Sequence, residues 1–158
     1  PDIYQGSELW DLSLVDPDNR RPVDYALRRG MLAQARAMRP GEIAGSLDSG
    51  LPKLWVVHQG LMLRRDMPEA FGEKASYEPL EVTGPKSDHA LGFTRGGIIA
   101  VVVPRLTLKR GPSWEGTSVR LPVGAWKNLL SGATEQGGPV PLEELFAGFP
   151  AAILAKDA

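Results

Sequence analysis

Cysteine is absent from all 158 residues. That excludes disulfides and thiol catalysis, and it is compatible with a reducing cytosol, so a cytoplasmic location is expected. Neither sign of charge is in excess. Eighteen basic residues against nineteen acidic ones leave a net charge of −1, so electrostatics make no case for nucleic acid or an anionic membrane as partner. Long apolar runs are missing too. The longest, Ile98 to Val103, has the length of a strand, far short of the roughly 18 residues of a membrane-spanning helix. No secretion signal, internal repeat or low-complexity tract is visible. The sequence does not open on Met. It starts Pro1-Asp2-Ile3-Tyr4 and passes almost at once into a polar loop, which reads as an internal start.

What is present is ordinary globular material. Hydrophobic residues make up 42% and charged residues 23%, enough to build a core without staples. Three zones follow one another. Residues 1–22 are polar, acidic and proline-containing, with a strand end expected at Ile3-Tyr4 and then a long loop. Residues 22–72 carry a helical period. Pro22 and Asp24 suit a helix start, and Leu27, Met31, Ala35 and Met38 recur at helical spacing. Arg39-Pro40-Gly41 should end that helix, and residues 41–50 read as a Gly/Ser linker. Pro52 opens a second helix with Leu51, Leu54, Trp55, His58, Leu61 and Met62 on one face, and Pro68 closes it.

From Tyr77 onward the pattern changes to short strands, expected at Tyr77–Val82, His89–Phe93, Ile98–Val103, Ser118–Leu121, Ala125–Leu130 and Ala151–Ala155. Glycine and proline separate them at Gly84-Pro85, Gly96-Gly97, Gly111-Pro112 and Gly137-Gly138-Pro139. Ile98–Val103 is apolar at every position, which predicts a central strand. Gly96-Gly97 reads as a hairpin turn and not a phosphate loop, because neither lysine nor helix follows it. The spacing suggests an antiparallel sandwich.

The stretch richest in chemistry is Pro1-Asp2-Ile3-Tyr4-Gln5-Gly6-Ser7-Glu8, continuing Leu9-Trp10-Asp11-Leu12-Ser13-Leu14-Val15-Asp16-Pro17-Asp18-Asn19-Arg20-Arg21-Pro22-Val23-Asp24-Tyr25. Carboxylates, amides, guanidinium groups and aromatic faces are what a site needs to hold sugar hydroxyls and rings. The same residues also read as a turn over Asp16-Pro17-Asp18-Asn19, with Pro at its second position, and as carboxylates paired with Arg20 and Arg21. His58, on the apolar face of a helix, reads as structural. His89 has no second histidine near it and is not read as a metal ligand. Tyr4 and Trp10 could stack on sugars or pack in a core. Trp114 and Trp126 read as core or edge packing, with a starch-binding surface as the alternative.

Pro1 to Gly6 with Glu8 resembles the end of the eighth barrel strand in the α-amylase superfamily. The stretch from Leu12 to Tyr25 is similar to the corresponding loop of the maltooligosyltrehalose synthases, the glucosylmutases that turn the reducing-end α-1,4 linkage of maltooligosaccharides into an α-1,1 trehalose end. The likeness runs on through Lys53-Leu54-Trp55 and Leu63-Arg64-Arg65-Asp66-Met67-Pro68-Glu69-Ala70-Phe71. It reaches Pro122 to Gly132 and Pro141 to Leu154.

The resemblance implies an α+β fragment: the last βα unit of a (β/α)8 barrel in residues 1–72, followed by a carboxyl-terminal antiparallel β-sandwich domain in residues 73–158. It also implies retaining chemistry with paired carboxylates and capture of the intermediate by the released glucose instead of water. The family's catalytic motifs are not in this sequence, so no catalytic residue, metal or cofactor is assigned. Asp16, Asp18, Asn19 and Arg20 are the expected substrate-binding residues. The expected partner is a maltooligosaccharide, with self-association through exposed barrel helices and no nucleic-acid or membrane partner. Two alternatives stay open: the terminal part of another α-amylase-type hydrolase or transglycosidase, and a carbohydrate-binding or purely structural β domain.

Overall fold

The computed structural model of the chain describes residues 4–157. Pro1 to Ile3 of the expected strand end lie outside the described residues. The chain divides into two compact units, residues 1–58 and 59–158.

In the first unit, α1 spans Tyr25–Ala37. It starts later than Pro22 predicts, because Asp24 is the cap: its carboxylate accepts the Leu27 amide at 2.8 Å, satisfying one of the unpaired donors of the first turn. Arg39-Pro40-Gly41 does end α1, but the expected linker at 41–50 is structured. Pro40 sits at the first position of a short helix, α2, over Pro40–Ala44, a place where its missing N–H costs nothing. The Glu42 carboxylate accepts the Arg39 amide at 2.9 Å and pairs with the Arg39 guanidinium at 2.7 Å. A single 3-10 turn, Leu47–Ser49, then leads to Gly50 in the left-handed region, after which α3 runs over Leu51–Asp66. Leu9, Ala35, Ile43, Leu51 and Leu54 are among the unit's buried apolar residues, while Leu27 stays half exposed.

In the second unit, seven strands form one antiparallel sheet: β1 Tyr77–Pro79, β2 Val82–Thr83, β3 Ala90–Arg95, β4 Ile99–Pro104, β5 Ser118–Asn128, β6 Thr134–Pro141 and β7 Ala152–Lys156. Short helices α4 (Thr107–Arg110) and α5 (Leu142–Leu145) sit between them. The order is β1-β3-β4-β7-β5-β2, with β6 also on β5. The antiparallel pairing is as expected, but the strands join in one curled sheet instead of the two separate sheets of a sandwich.

The central position of β4, between β3 and β7, agrees with its two-sided apolar run. Ala100 and Val102 enter the main core with Val119, Leu121, Trp126 and Leu154. Ile99 and Val101 face a second cluster with Leu63, Ala70 and Ile153. Gly96 and Gly97, both at positive φ, make the β3–β4 turn.

Two expected strands, Ser118–Leu121 and Ala125–Leu130, are one bent strand, β5, broken by a register shift between Leu121 and Ala125. A bulge lets a strand bend without ending. Gly137-Gly138-Pro139, read as punctuation, lies inside β6. A Cβ on Gly137 would stand 2.4 Å from the Pro122 carbonyl oxygen, so β6 passes the bulge only where a side chain is missing. The expected strand Tyr77–Val82 is split at Leu80-Glu81 into β1 and β2, which pair with different partners.

Candidate functional site

The loop from Gln5 to Asp24 has an anchored stem and a self-bonded tip. The stem begins with a turn, in which the Ser7 amide donates to Tyr4 O at 3.1 Å. Gly6 adopts φ +87°, and a Cβ there would meet Val23 Cγ2 at 2.9 Å, so only glycine fits without strain. From α1, Arg28 reaches back to the stem. Its Nη2 donates to Gly6 O at 2.6 Å, and its Nε meets Glu8 Oε2 at 3.0 Å, in a pair mostly withdrawn from solvent. Tyr25 Oη lies 3.3 Å from Gln5 Oε1. From α3, Lys53 Nζ donates to Leu9 O at 3.0 Å and lies 5.6 Å from the Trp10 ring centre. Trp10 Nε1 donates to Leu47 O. Gly50 permits this approach, since a Cβ there would stand 2.9 Å from the Trp10 amide nitrogen.

The tip is held by its own carboxylates. Asp11 Oδ1 accepts from the Ser13 hydroxyl at 2.6 Å and the Ser13 amide at 2.9 Å, and these bonds hold its pKa below the usual carboxylate range. Asp18 Oδ2 accepts the Leu14 amide at 2.9 Å, and Asp18 also pairs with Arg21. Its pKa is lowered first by the Leu14 bond and then by Arg21. Arg20 Nη2 donates to Asp16 Oδ2 at 2.9 Å, and Arg20 Nε meets the other oxygen of the same carboxylate. The expected turn is shifted by one residue. The Asp18 amide donates to Val15 O at 3.0 Å, which puts Pro17 third in the turn, after a cis peptide bond.

The four expected substrate residues therefore share one turn of chain, and two of them, Asp16 and Arg20, bind each other. Asn19 differs: its Oδ1 is buried and has no hydrogen-bond partner. Asn19 also lines a shallow hollow with Tyr4, Ser7, Asp11, Ser13, Leu14, Val15 and Lys53. Tyr4 and Trp10 are each about half exposed, at 54% and 51%, so neither is a core residue in this chain. Around them Leu12, Leu14 and Val15 stand 93%, 79% and 83% exposed.

Elsewhere, Trp114 and Trp126 are buried at 5% and 0% exposure, which confirms packing and removes them as a starch-binding face. His58 stacks at a tilt near Trp55, ring centres 5.9 Å apart. Among the described residues no three His, Asp or Glu side chains are grouped to hold a metal ion, and no helix is long and apolar enough to cross a membrane. Arg28 and Lys53 escaped the sequence reading of the loop, because their partners lie 20 to 44 residues away and leave no local spacing to read.

No family model matches the chain. It is 44% identical, over 99% of its length, to a Mycobacterium tuberculosis protein provisionally named maltooligosyl trehalose synthase. It superposes on the maltooligosyltrehalose synthase of Arthrobacter ramosus with a TM-score of 0.87 at 38% identity, and on a mutant form of that enzyme with 0.88. The chain matches the carboxyl-terminal part of maltooligosyltrehalose synthase. Another solved maltooligosyl trehalose synthase aligns with a TM-score of 0.73 at 28% identity. The chain spans about a fifth of these synthases: 19% of the M. tuberculosis protein and 20% of the A. ramosus enzyme. Since 99% of the chain is covered in each comparison, the loop and the curled sheet both fall within the likeness to this family.

Proposed function

We propose that the chain is the carboxyl-terminal part of an intramolecular transglucosylase that converts the reducing-end α-1,4 linkage of maltooligosaccharides to α-1,1. The observation that carries this reading is the 44% identity across essentially the whole chain. In this reading residues 1–72 are the last βα unit of the catalytic barrel, and residues 73–158 are its terminal β domain. The working loops of such barrels follow the carboxyl ends of strands, which is where the Gln5–Arg21 loop would lie.

The loop then borders the reducing-end side of the site. Asp16, Asp18, Asn19 and Arg20 offer acceptors and donors for sugar hydroxyls, and the unpartnered Asn19 Oδ1 has a hydrogen bond still to accept. Leu12, Leu14 and Val15 supply apolar surface that keeps water from the intermediate while the released glucose rotates and attacks through its anomeric hydroxyl. The nucleophile and the acid/base belong to earlier strands of the parent protein. Retaining chemistry needs two carboxyl groups about 5–5.5 Å apart across the bond, and the loop's carboxylates are instead occupied by its own amides and guanidinium groups. The isolated chain is accordingly inactive. With Leu27 half exposed on α1, it self-associates through that helix at high concentration.

Incubation of the purified chain, and separately of the parent protein, with maltopentaose tests this. The parent should yield a non-reducing isomer of unchanged mass, and the chain alone should yield nothing. Isomer or free glucose formed by the chain in proportion to its amount would overturn the assignment.

A further inference from the structure

The geometry points to Arg28 as a positioning residue for the proposed reaction, acting through the loop stem without touching sugar. This rests on the functional reading above. Three nitrogens of one guanidinium are committed: Nη2 to Gly6 O at 2.6 Å, Nε to Glu8 Oε2 at 3.0 Å and Nη1 to Asp24 O at 3.0 Å. The partners are the two ends of the loop. Gly6 and Glu8 belong to its first turn, and Asp24 is the residue that caps α1. Arg28 therefore closes the loop at its base, with its side chain only 18% exposed and that of Glu8 26%. The Asp16–Arg20 and Asp18–Arg21 pairs lie within the tip and tie it to no other part of the loop. The tip's placement depends on the stem, and Arg28 grips both of its ends through one guanidinium. A planar fork is what such a three-way grip requires, and an ammonium on a flexible stem cannot reproduce it.

The test uses the full-length parent with Arg28→Met, Arg28→Lys and Glu8→Gln, assayed on maltopentaose for isomer against free glucose, with KM and kcat separated. The expected result for Arg28→Met is a share of hydrolysis raised several-fold and a kcat for isomerisation lowered about tenfold, with KM changed less than twofold. Arg28→Lys should fall between it and the unsubstituted enzyme. Glu8→Gln, which leaves the Gly6 contact in place, should raise hydrolysis by a smaller factor and serves if Arg28→Met does not fold. If the unsubstituted parent forms no isomer, the functional reading fails and this inference falls with it. If it forms isomer and the folded variants keep its product ratio and kcat, this inference alone is overturned.

Discussion

Asp16 and Arg20 face each other across a single turn of the loop, both guanidinium contacts falling on one carboxylate, and both side chains remain more than half exposed. An exposed pair of this kind contributes about 0–1 kcal/mol. Arg20→Ala should therefore lower the stability of the chain by less than about 1 kcal/mol, measured by urea unfolding. A larger loss would make the pair a scaffold element.

Gly137 is a more sensitive position. A Cβ there would approach the Pro122 oxygen to 2.4 Å and the Val123 Cα to 2.7 Å, both backbone atoms that cannot swing aside. Gly137→Ala should destabilise the chain by about 2–3 kcal/mol or prevent folding. The neighbouring Gly138 has open space, so any cost of Gly138→Ala comes only from its positive φ of 115°. Equal urea midpoints for Gly137→Ala and the unsubstituted chain would refute the packing described for the bulge.

Glu135, on β6, has its pKa raised above the ordinary 4.5, first by burial and then by the nearby Glu144 carboxylate. The folded state therefore holds this proton more tightly than the unfolded one. Its contribution to stability is full below about pH 4.5 and is lost as pH rises through the raised folded value. Glu135→Gln, which imitates the protonated form, should match the unsubstituted chain near pH 4.5 and exceed it increasingly toward neutrality. Parallel stability curves from pH 4 to pH 8 would contradict this.

Much of this was legible in the sequence, where local rules govern the outcome. The two-sided apolar run at Ile98–Val103 could only be a central strand, and β4 takes that place. The density of polar and aromatic groups between Gln5 and Arg21 marked the loop. Contacts distant in sequence were not legible. Gly137-Gly138-Pro139 looks like a break until the bulge of β5 is seen pressing on it. The two halves of β5 look like separate strands because Pro122 and Gly124 are ordinarily turn residues. Arg28 carries no signal on its own helix, since its partners Gly6 and Glu8 lie 22 and 20 residues upstream. Pro22 misplaced the start of α1 because Asp24, two residues on, is the stronger capping residue.

As proposed, the Gln5–Arg21 loop works on the reducing-end side of a glucan-isomerising site. The most direct measurement is the product ratio of the parent protein with Arg20→Ala or Asp16→Ala, read as non-reducing isomer against free glucose from maltopentaose. A lower rate of isomerisation and a larger share of hydrolysis are expected, because a loosened loop releases the glucose and admits water. Unchanged turnover and product ratio in both variants would contradict it.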